Sequence, residues 1–231
     1  YMALPAHFIS DSASSEQYKT IVPSILMLSK EKGVKALAIL YGIQGEGATA
    51  YAANLAISIS QTGSSVVLID ANFKSPGVHK LFGIKRQPGL TDILMGNYEW
   101  DTAVMRITDL MLGEIKPHHL LSPPGLDNLY ILTNGEKIEN PSAFINSERM
   151  DKTLEALKNF FDFVIIDTSP ILTNTDASML TSKVDTAILL TEFGRLPRRT
   201  LLKMRSQLEN MRVKLLGLVV NKTKKIESYK S

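Results

Sequence analysis

The chain has 231 residues and no cysteine, 44% of its residues are hydrophobic, and its formal net charge is +3. This composition allows a full core in one domain and excludes a disulfide scaffold. Because the sequence has neither a run of eighteen apolar residues nor the pattern of a signal peptide, we expect the segment itself to be soluble, and the absence of cysteine is compatible with the cytoplasm.

The first half of the chain has the pattern of alternating helices and buried strands. Apolar residues at helical spacing predict a helix, with a disturbance at Pro23, and continuous apolar runs predict strands. We predict a helix, a strand, a helix and a strand over residues 15–32, 36–41, 48–61 and 65–69. The first strand runs into a glycine-rich loop, which is the arrangement that a phosphate-binding loop requires.

The second half continues this alternation after a less regular stretch. A short helix is predicted at 90–95, and the prolines of residues 96–128 predict a surface insertion. Beyond it we predict strands at 129–132, 163–166, 186–190 and 215–220, and helices at 150–160 and 198–210. Strands that are apolar throughout and alternate with helices predict an α/β fold with a mostly parallel sheet, covered by helices on both faces as in P-loop NTPases.

The positive charge lies at the C-terminal end, where residues 192–231 carry 11 Lys and Arg against 3 Asp and Glu. Such a stretch could face membrane phosphates, nucleic acid or an acidic protein. We interpret it as a solvated helix face, which includes Arg195, followed by a basic tail. We thus predict a loose lead-in, a single domain and a basic tail, over residues 1–14, 15–222 and 223–231.

Polar residues and glycine follow four of the predicted strands. Gly42, Asp70, Asp167 and Asn221 each stand where an apolar strand ends. Ligands of parallel sheets bind at the carboxyl ends of the strands. We therefore expect these four residues to lie around one binding site.

The glycine-rich loop is the most informative motif of the sequence. Residues 42–49 fit the P-loop pattern G-x-x-x-x-G-K-[ST] except that Ala48 stands in the lysine position. The glycines let backbone N–H groups surround phosphates, and Thr49 could hold Mg²⁺. The pattern predicts a nucleotide site that lacks its main cation.

Two carboxylates favour a metal–phosphate site at this loop. Asp70 and Asp167 each follow four apolar strand residues. A single aspartate in this position is usually a helix cap or a turn residue. Two of them beside a glycine loop favour Mg²⁺, which keeps several waters and needs few protein oxygens.

The motifs together resemble the bacterial tyrosine autokinases of exopolysaccharide biosynthesis and export. The resemblance runs in the order of the family from about residue 15 to residue 222. It is carried by residues 45–49, 52–56, 68–72, 74–76, 79–83, 88–94, 161–168, 176–177 and 217–221. It implies a P-loop fold that binds ATP or ADP with Mg²⁺.

The resemblance also assigns roles to individual residues. Asp70 and Asp167 would be catalytic, and they would hold the metal together with Thr49. Asn221 would recognise the adenine edge. The nucleotide-binding set would comprise Gly42, Gly45, Glu46, Gly47, Ala48, Thr49, Ala50 and Asn221.

The departures from the family pattern lie where chemistry is done. Ala48 replaces the lysine, and Asn72 replaces a second acidic residue near the metal. Lys74 stands for an arginine, and Val22 for an arginine that helps to build a subunit ring. Tyr229 is the one tyrosine in a tail that usually has several. We therefore expect a pseudokinase with very weak or no autokinase activity, in which the binding of ATP or ADP and Mg²⁺ is weakened or lost.

The resemblance further implies partners and a location. We expect a binding or regulatory component of exopolysaccharide assembly that contacts a polysaccharide co-polymerase, an export membrane protein or a related kinase. A homo-oligomer is expected only in weakened form because the ring motif is degraded. The protein would lie at the inner face of the cytoplasmic membrane, through a partner or through a membrane segment preceding Tyr1.

Two alternatives remain open from the sequence. The first is an active kinase or ATPase in which another cation, from Lys74 or from a neighbouring subunit, replaces the lysine. The second is a partitioning-type ATPase, although Ile43 stands where that group carries an extra lysine. Nucleic acid is not expected as a partner. Zinc binding by His118 and His119 is not expected, and Tyr51 is predicted to pack against a helix.

Overall fold

The computed structural model describes residues 13–109, 125–210 and 214–222, and its centre is a seven-stranded sheet with the strand order β3-β4-β2-β5-β1-β6-β7. Neighbouring strands are parallel except for β3, which runs antiparallel to β4. The fold prediction is therefore confirmed. The strands are β1 Ala36–Tyr41, β2 Val66–Asp70, β3 Met105–Arg106, β4 Leu129–Leu132, β5 Phe163–Asp167, β6 Thr186–Glu192 and β7 Leu215–Asn221.

Helices connect the strands and cover the sheet. They are α1 Ala13–Lys32, α2 Ala48–Ser60, α3 Val78–Phe82, α4 Leu90–Leu94, α5 Trp100–Ala103, α6 Pro141–Ile145, α7 Glu148–Phe160, α8 Asp176–Thr181 and α9 Arg198–Asn210. A short 3₁₀ helix, Leu126–Asn128, precedes β4. The disturbance expected at Pro23 is not seen, because α1 continues through this residue.

The central strands are buried on both faces, which explains why their sequences are apolar throughout. Along β1, Leu37, Ile39 and Tyr41 pack in the cluster that includes α2, whereas Ala38 and Leu40 pack on the opposite side against residues of α8 and α9. The sheet is therefore held between helical layers, and the strand ends that carry the polar residues are fixed in position.

The predicted surface insertion at 96–128 contributes in part to the core. Within it, β3 pairs with β4, and Ala103 and Ile107 are buried. A two-residue strand has no sequence pattern of its own, which is why it was not predicted. Residues 110–124 of this segment, which include His118 and His119, lie outside the described residues.

The other boundaries agree closely with the sequence patterns. The strand at Ala36–Tyr41 and the helix at Arg198–Asn210 have the predicted bounds, and β6 is two residues longer than predicted. In the described part of the chain, no helix is both long and apolar enough to span a membrane.

Candidate functional site

The glycine loop between β1 and α2 has the backbone conformation of a phosphate-binding loop. Gly45 and Gly47 both have a φ of 90°, in the left-handed region that favours glycine. Gly47 is the N-cap residue of the 13-residue helix α2, and no side chain caps this end. The loop therefore presents backbone N–H groups and the positive end of a helix dipole at one place, which suits an anion.

Glu46 holds this loop from within. Its side chain is fully buried, and one carboxylate oxygen accepts hydrogen bonds from the amides of Gly42 and Ile43 at 2.8 and 2.9 Å. The other oxygen accepts from the Thr191 hydroxyl and the Glu192 amide, both at 3.2 Å. The resemblance assigns Glu46 to the nucleotide-binding set, but in this structure its carboxylate stabilises the loop.

A cavity of about 430 Å³ opens beside the loop. One wall consists of loop residues, including Ala48 and Thr49, and the other of the segment after β2, including Asn72, Ser75 and Lys80. The side-chain amide of Gln44 donates a hydrogen bond of 3.1 Å to the Ser75 hydroxyl, and this bond joins the two walls. Ala48 is 4% exposed and ends in a methyl group, so it brings no charge to the cavity.

Asp70 and Asp167 lie side by side at the ends of β2 and β5, where they are register partners. The Thr49 hydroxyl donates a hydrogen bond of 2.6 Å to Asp167, which connects the loop to the carboxylate pair. Burial, with the nearby Asp70 charge, raises the pKa of Asp167 well above its usual range. The second carboxylate oxygen of Asp167 is buried and has no hydrogen-bond partner among the described residues.

Asp70 fixes the segment that forms the second wall. It accepts hydrogen bonds from the amides of Gly77 and Val78, both at 3.0 Å, and from Asn72 at 3.2 Å. Burial outweighs these bonds and raises the pKa of Asp70 to about 6. A Cβ atom at Gly77 would lie 3.2 Å from the Thr49 methyl group, so the segment and the loop are packed closely.

The oxygen atoms at this point fit Mg²⁺. The unpartnered Asp167 oxygen, the Asp70 carboxylate and the Thr49 hydroxyl are the hard ligands that this ion prefers. No cluster of three or more His, Cys, Asp or Glu that could hold a metal occurs within the described ranges. A metal would thus depend on phosphate and water for its remaining ligands, as Mg²⁺ does at nucleotide sites.

Asn72 is a buried junction between three elements. Its side-chain NH₂ group donates to the Tyr41 hydroxyl. Its side-chain oxygen accepts from the backbone amide of Ser75 and from the Ser169 hydroxyl, and all three bonds measure 3.1 Å. Burial, then the Asp167 charge, raises the pKa of Tyr41 above its usual range. A neutral amide at this position connects the strands without adding a third negative charge.

Comparison with known proteins identifies the family. An AAA domain model matches residues 34–214. The tyrosine-protein kinase YwqD of Bacillus subtilis (strain 168) is 31% identical over 210 residues, which cover 91% of this chain and 81% of the kinase. This chain belongs to the bacterial tyrosine kinase family.

Solved structures share the fold of this chain. The chimerical protein CapA2B2 superposes with a TM-score of 0.83 at 25% identity, over 97% of this chain and 92% of that one. The septum site-determining protein MinD of Pyrococcus horikoshii OT3, solved with Mg-ADP, gives a TM-score of 0.61 at 20% identity. It covers 80% of this chain and 69% of MinD, and at this identity it shows the fold alone.

Several positions where the sequence departs from the kinase family can be placed in the structure. Val22, in the ring motif, is 4% exposed and packs in the core between α1 and α2. Tyr51 stacks on Tyr18 with ring centroids 5.4 Å apart, which confirms its packing role. Lys74 is exposed and does not line the cavity. Tyr229 lies outside the described residues.

Asn221 contacts the loop in this structure. Its side-chain NH₂ group donates a hydrogen bond of 2.9 Å to the backbone carbonyl of Glu46, and its side-chain oxygen accepts from the backbone amide of Lys222 at 2.8 Å. The role in adenine recognition that the kinase family implies stays a prediction.

Arg195 also contacts the loop. It is exposed, as the interpretation of a solvated stretch expects, but it precedes α9 instead of lying on its face. Its guanidinium donates to the Gly45 and Gln44 carbonyls at 2.9 and 3.0 Å and pairs with Glu192. Since its loop partners lie about 150 positions earlier in the chain, no local signal could have revealed these bonds.

Proposed function

We propose that this chain is a nucleotide-binding member of the bacterial tyrosine kinase family whose phosphoryl-transfer activity is very weak or absent, and that it acts as a regulatory component of exopolysaccharide assembly. The observation that carries the proposal is a fully built phosphate loop in which the buried Ala48 stands in the position of the lysine.

The loop geometry supports binding. Gly45 and Gly47 adopt the left-handed backbone that a phosphate cradle needs, and Glu46 holds that backbone with buried hydrogen bonds. Most of the contacts that such a loop makes to phosphate come from backbone amides, which do not depend on the side chain at position 48. A protein of the same fold, MinD of Pyrococcus horikoshii, holds Mg-ADP. We therefore propose ATP or ADP with Mg²⁺ as ligands.

The same geometry supports weak chemistry. Phosphoryl transfer is accelerated mainly by positive charge that neutralises the transferring group in the transition state. Ala48 provides none, and the neutral Asn72 is committed to Tyr41, Ser75 and Ser169. Mg²⁺, which Thr49, Asp70 and Asp167 would hold, would supply part of that charge when bound.

The partner and the location are proposed from the kinase family. Buried in the core, Val22 offers no side chain for a subunit ring. We therefore propose a polysaccharide co-polymerase, an export membrane protein or a related kinase as the main contact, at the inner face of the cytoplasmic membrane.

Transfer of labelled phosphate from ATP tests the proposed loss of activity. With Mg²⁺ and γ-labelled ATP, the wild-type protein should give a signal close to background. Ala48→Lys should raise ADP release by about tenfold or more, because it restores the transition-state cation. The double variant Ala48→Lys with Asp167→Ala should return to background. Wild-type turnover clearly above background, or label on Tyr229 in the wild type, would disprove the proposed inactivity.

A further inference from the structure

A lysine stands across the cavity from the position that lacks one. Lys80 lies in the middle of α3, and it lines the same cavity of about 430 Å³ as Ala48 and Thr49. Of the described residues around this cavity, Lys80 alone has a cationic side chain. Positive charge is therefore available at the site from the second wall.

The backbone that carries Lys80 is fixed to the carboxylate pair and to the loop. Gly77 and Val78, at the start of α3, donate their amides to Asp70. Gly77 is also packed against Thr49, and Leu81, next to Lys80, lines the cavity as well. The base of the lysine side chain is thus held in place, while its four-carbon stem can move.

The ammonium group of Lys80 is not committed to another contact. It is exposed, and it makes no hydrogen bond or ion pair with any residue that the structure describes. Its charge acts on the neighbouring His79, whose pKa is lowered by burial and then by the Lys80 charge. A free ammonium on a flexible stem suits an anionic ligand that enters the cavity.

Two other basic residues near the loop are already engaged, and a third does not reach the cavity. Arg195 bonds to two loop carbonyls and to Glu192. Lys222 pairs with the same glutamate at 3.0 Å. Lys74 is exposed and lies outside the cavity wall, so the geometry does not favour it as the substitute cation.

We propose that Lys80 binds the terminal phosphates of the nucleotide and thereby replaces, for binding, the charge that Ala48 does not provide. The inference rests on the proposed nucleotide site and deepens it. The buried carboxylates of Asp70 and Asp167 do not line the cavity, but Asp167 is hydrogen-bonded to Thr49, which does. A cation on the opposite wall would offset the repulsion between these carboxylates and a polyanionic ligand. Because Lys80 reaches the phosphates from α3 instead of from the loop, it supports affinity without restoring the geometry of phosphoryl transfer.

Titration calorimetry with Mg²⁺·ATP tests this role. A charge-assisted hydrogen bond to phosphate predicts that Lys80→Gln weakens binding by about ten- to a hundredfold. Lys80→Arg should keep most of the affinity, because it preserves the charge. Lys85→Gln, an exposed lysine on the same segment that does not line the cavity, is the matched control and should bind like the wild type.

Three further measurements separate a direct phosphate contact from a structural effect. The loss caused by Lys80→Gln should be large for Mg²⁺·ATP and small for adenosine, with an unchanged melting temperature of the free protein. Ala48→Lys, added to Lys80→Gln, should recover affinity because a cation returns to the site.

Each possible outcome decides a stated point. Equal affinity of Lys80→Gln and wild type overturns the role of Lys80 and leaves the nucleotide site intact. A loss for Lys74→Gln but not for Lys80→Gln also overturns it and assigns the cation to Lys74. No binding of Mg²⁺·ATP or Mg²⁺·ADP by the wild-type protein overturns both this inference and the proposed function.

Discussion

Asp167 has the most demanding environment among the polar residues of the site. It is fully buried, lies next to Asp70, and has one oxygen bonded to Thr49 and one without a partner among the described residues. An unpaired buried charge is costly unless a cation or a proton compensates it. Without a ligand, protonation of the carboxylate pair is therefore favoured. With Mg²⁺ bound, the negative charge of the pair would help to hold the ion.

The pH dependence of the ligand-free protein should report this pair. Burial raises the pKa of Asp70 to about 6, and burial with the Asp70 charge raises the pKa of Asp167. A carboxyl group whose pKa is higher in the folded state stabilises the fold fully below its unfolded pKa, near 4, and this contribution is lost as the pH rises through the folded value. For Asp70, the loss of stabilisation between the unfolded and the folded pKa amounts to about 3 kcal/mol of free energy of unfolding.

Asp167→Asn isolates this effect because it removes the charge and keeps the shape. We expect the variant to melt at a higher temperature than the wild type at about pH 7 to 8, and the advantage to shrink towards about pH 5. Thermal melts of the nucleotide-free proteins over this range measure it. A difference between the two proteins that does not vary with pH would show that the carboxylate pair is not strained.

Asp185 fixes the beginning of β1 through its carboxylate. One carboxylate oxygen accepts hydrogen bonds from the amides of Lys35 and Ala36, at 2.9 and 2.8 Å, and the other accepts from Lys158 at 2.6 Å. Burial acts to raise the pKa of Asp185, but the Ala36 amide and the Lys158 ammonium together lower it. This residue joins the beginnings of β1 and β6 to α7.

Replacing Asp185 should therefore weaken the sheet. We expect Asp185→Ala to lower the free energy of unfolding by about 2 kcal/mol, because two amides and an ammonium lose a charged acceptor. Since the carboxyl pKa is lowered in the fold, this difference should be present above the unfolded pKa near 4 and should fall as the pH decreases below it. Denaturant titrations at neutral and acidic pH provide the measurement.

A surface ion pair gives the matched control for Asp185→Ala. Lys152 and Glu148 form a pair on α7 in which both side chains are largely exposed. Exposed pairs contribute little to stability. Lys152→Ala should leave the unfolding midpoint unchanged, and an equal loss in both variants would contradict the special role of Asp185.

The elements that the sequence predicted well are those specified locally. The runs that form β1 and β5 are apolar throughout, so their bounds follow from composition alone. The strand β3 could not be predicted because its two residues depend on pairing with β4. The site divides in the same way. Thr49, Asp70 and Asp167 belong to local motifs, whereas Arg195 and Lys80 reach the site only through the tertiary fold.

At the scale of the whole molecule, the order of strands brings distant segments of the chain to one edge of the sheet. The loop after β1 lies between the ends of β5 and β6, and Asn221 at the end of β7 reaches back to it. The carboxylates follow β2 and β5, which are neighbours. The fold thus places a phosphate loop and Lys80 around one cavity, and Thr49 connects that loop to the buried carboxylate pair, even though the loop lysine is missing.

Titration of the purified wild-type protein with Mg²⁺·ADP, beside Asp167→Ala, tests the central claim most directly. We predict measurable binding by the wild type and a loss of binding in the variant, because the buried carboxylate would no longer help to hold the metal. No heat of binding from the wild type at millimolar nucleotide would contradict the claim. It would mean that the fold of this kinase family is kept here as an interaction surface without a ligand.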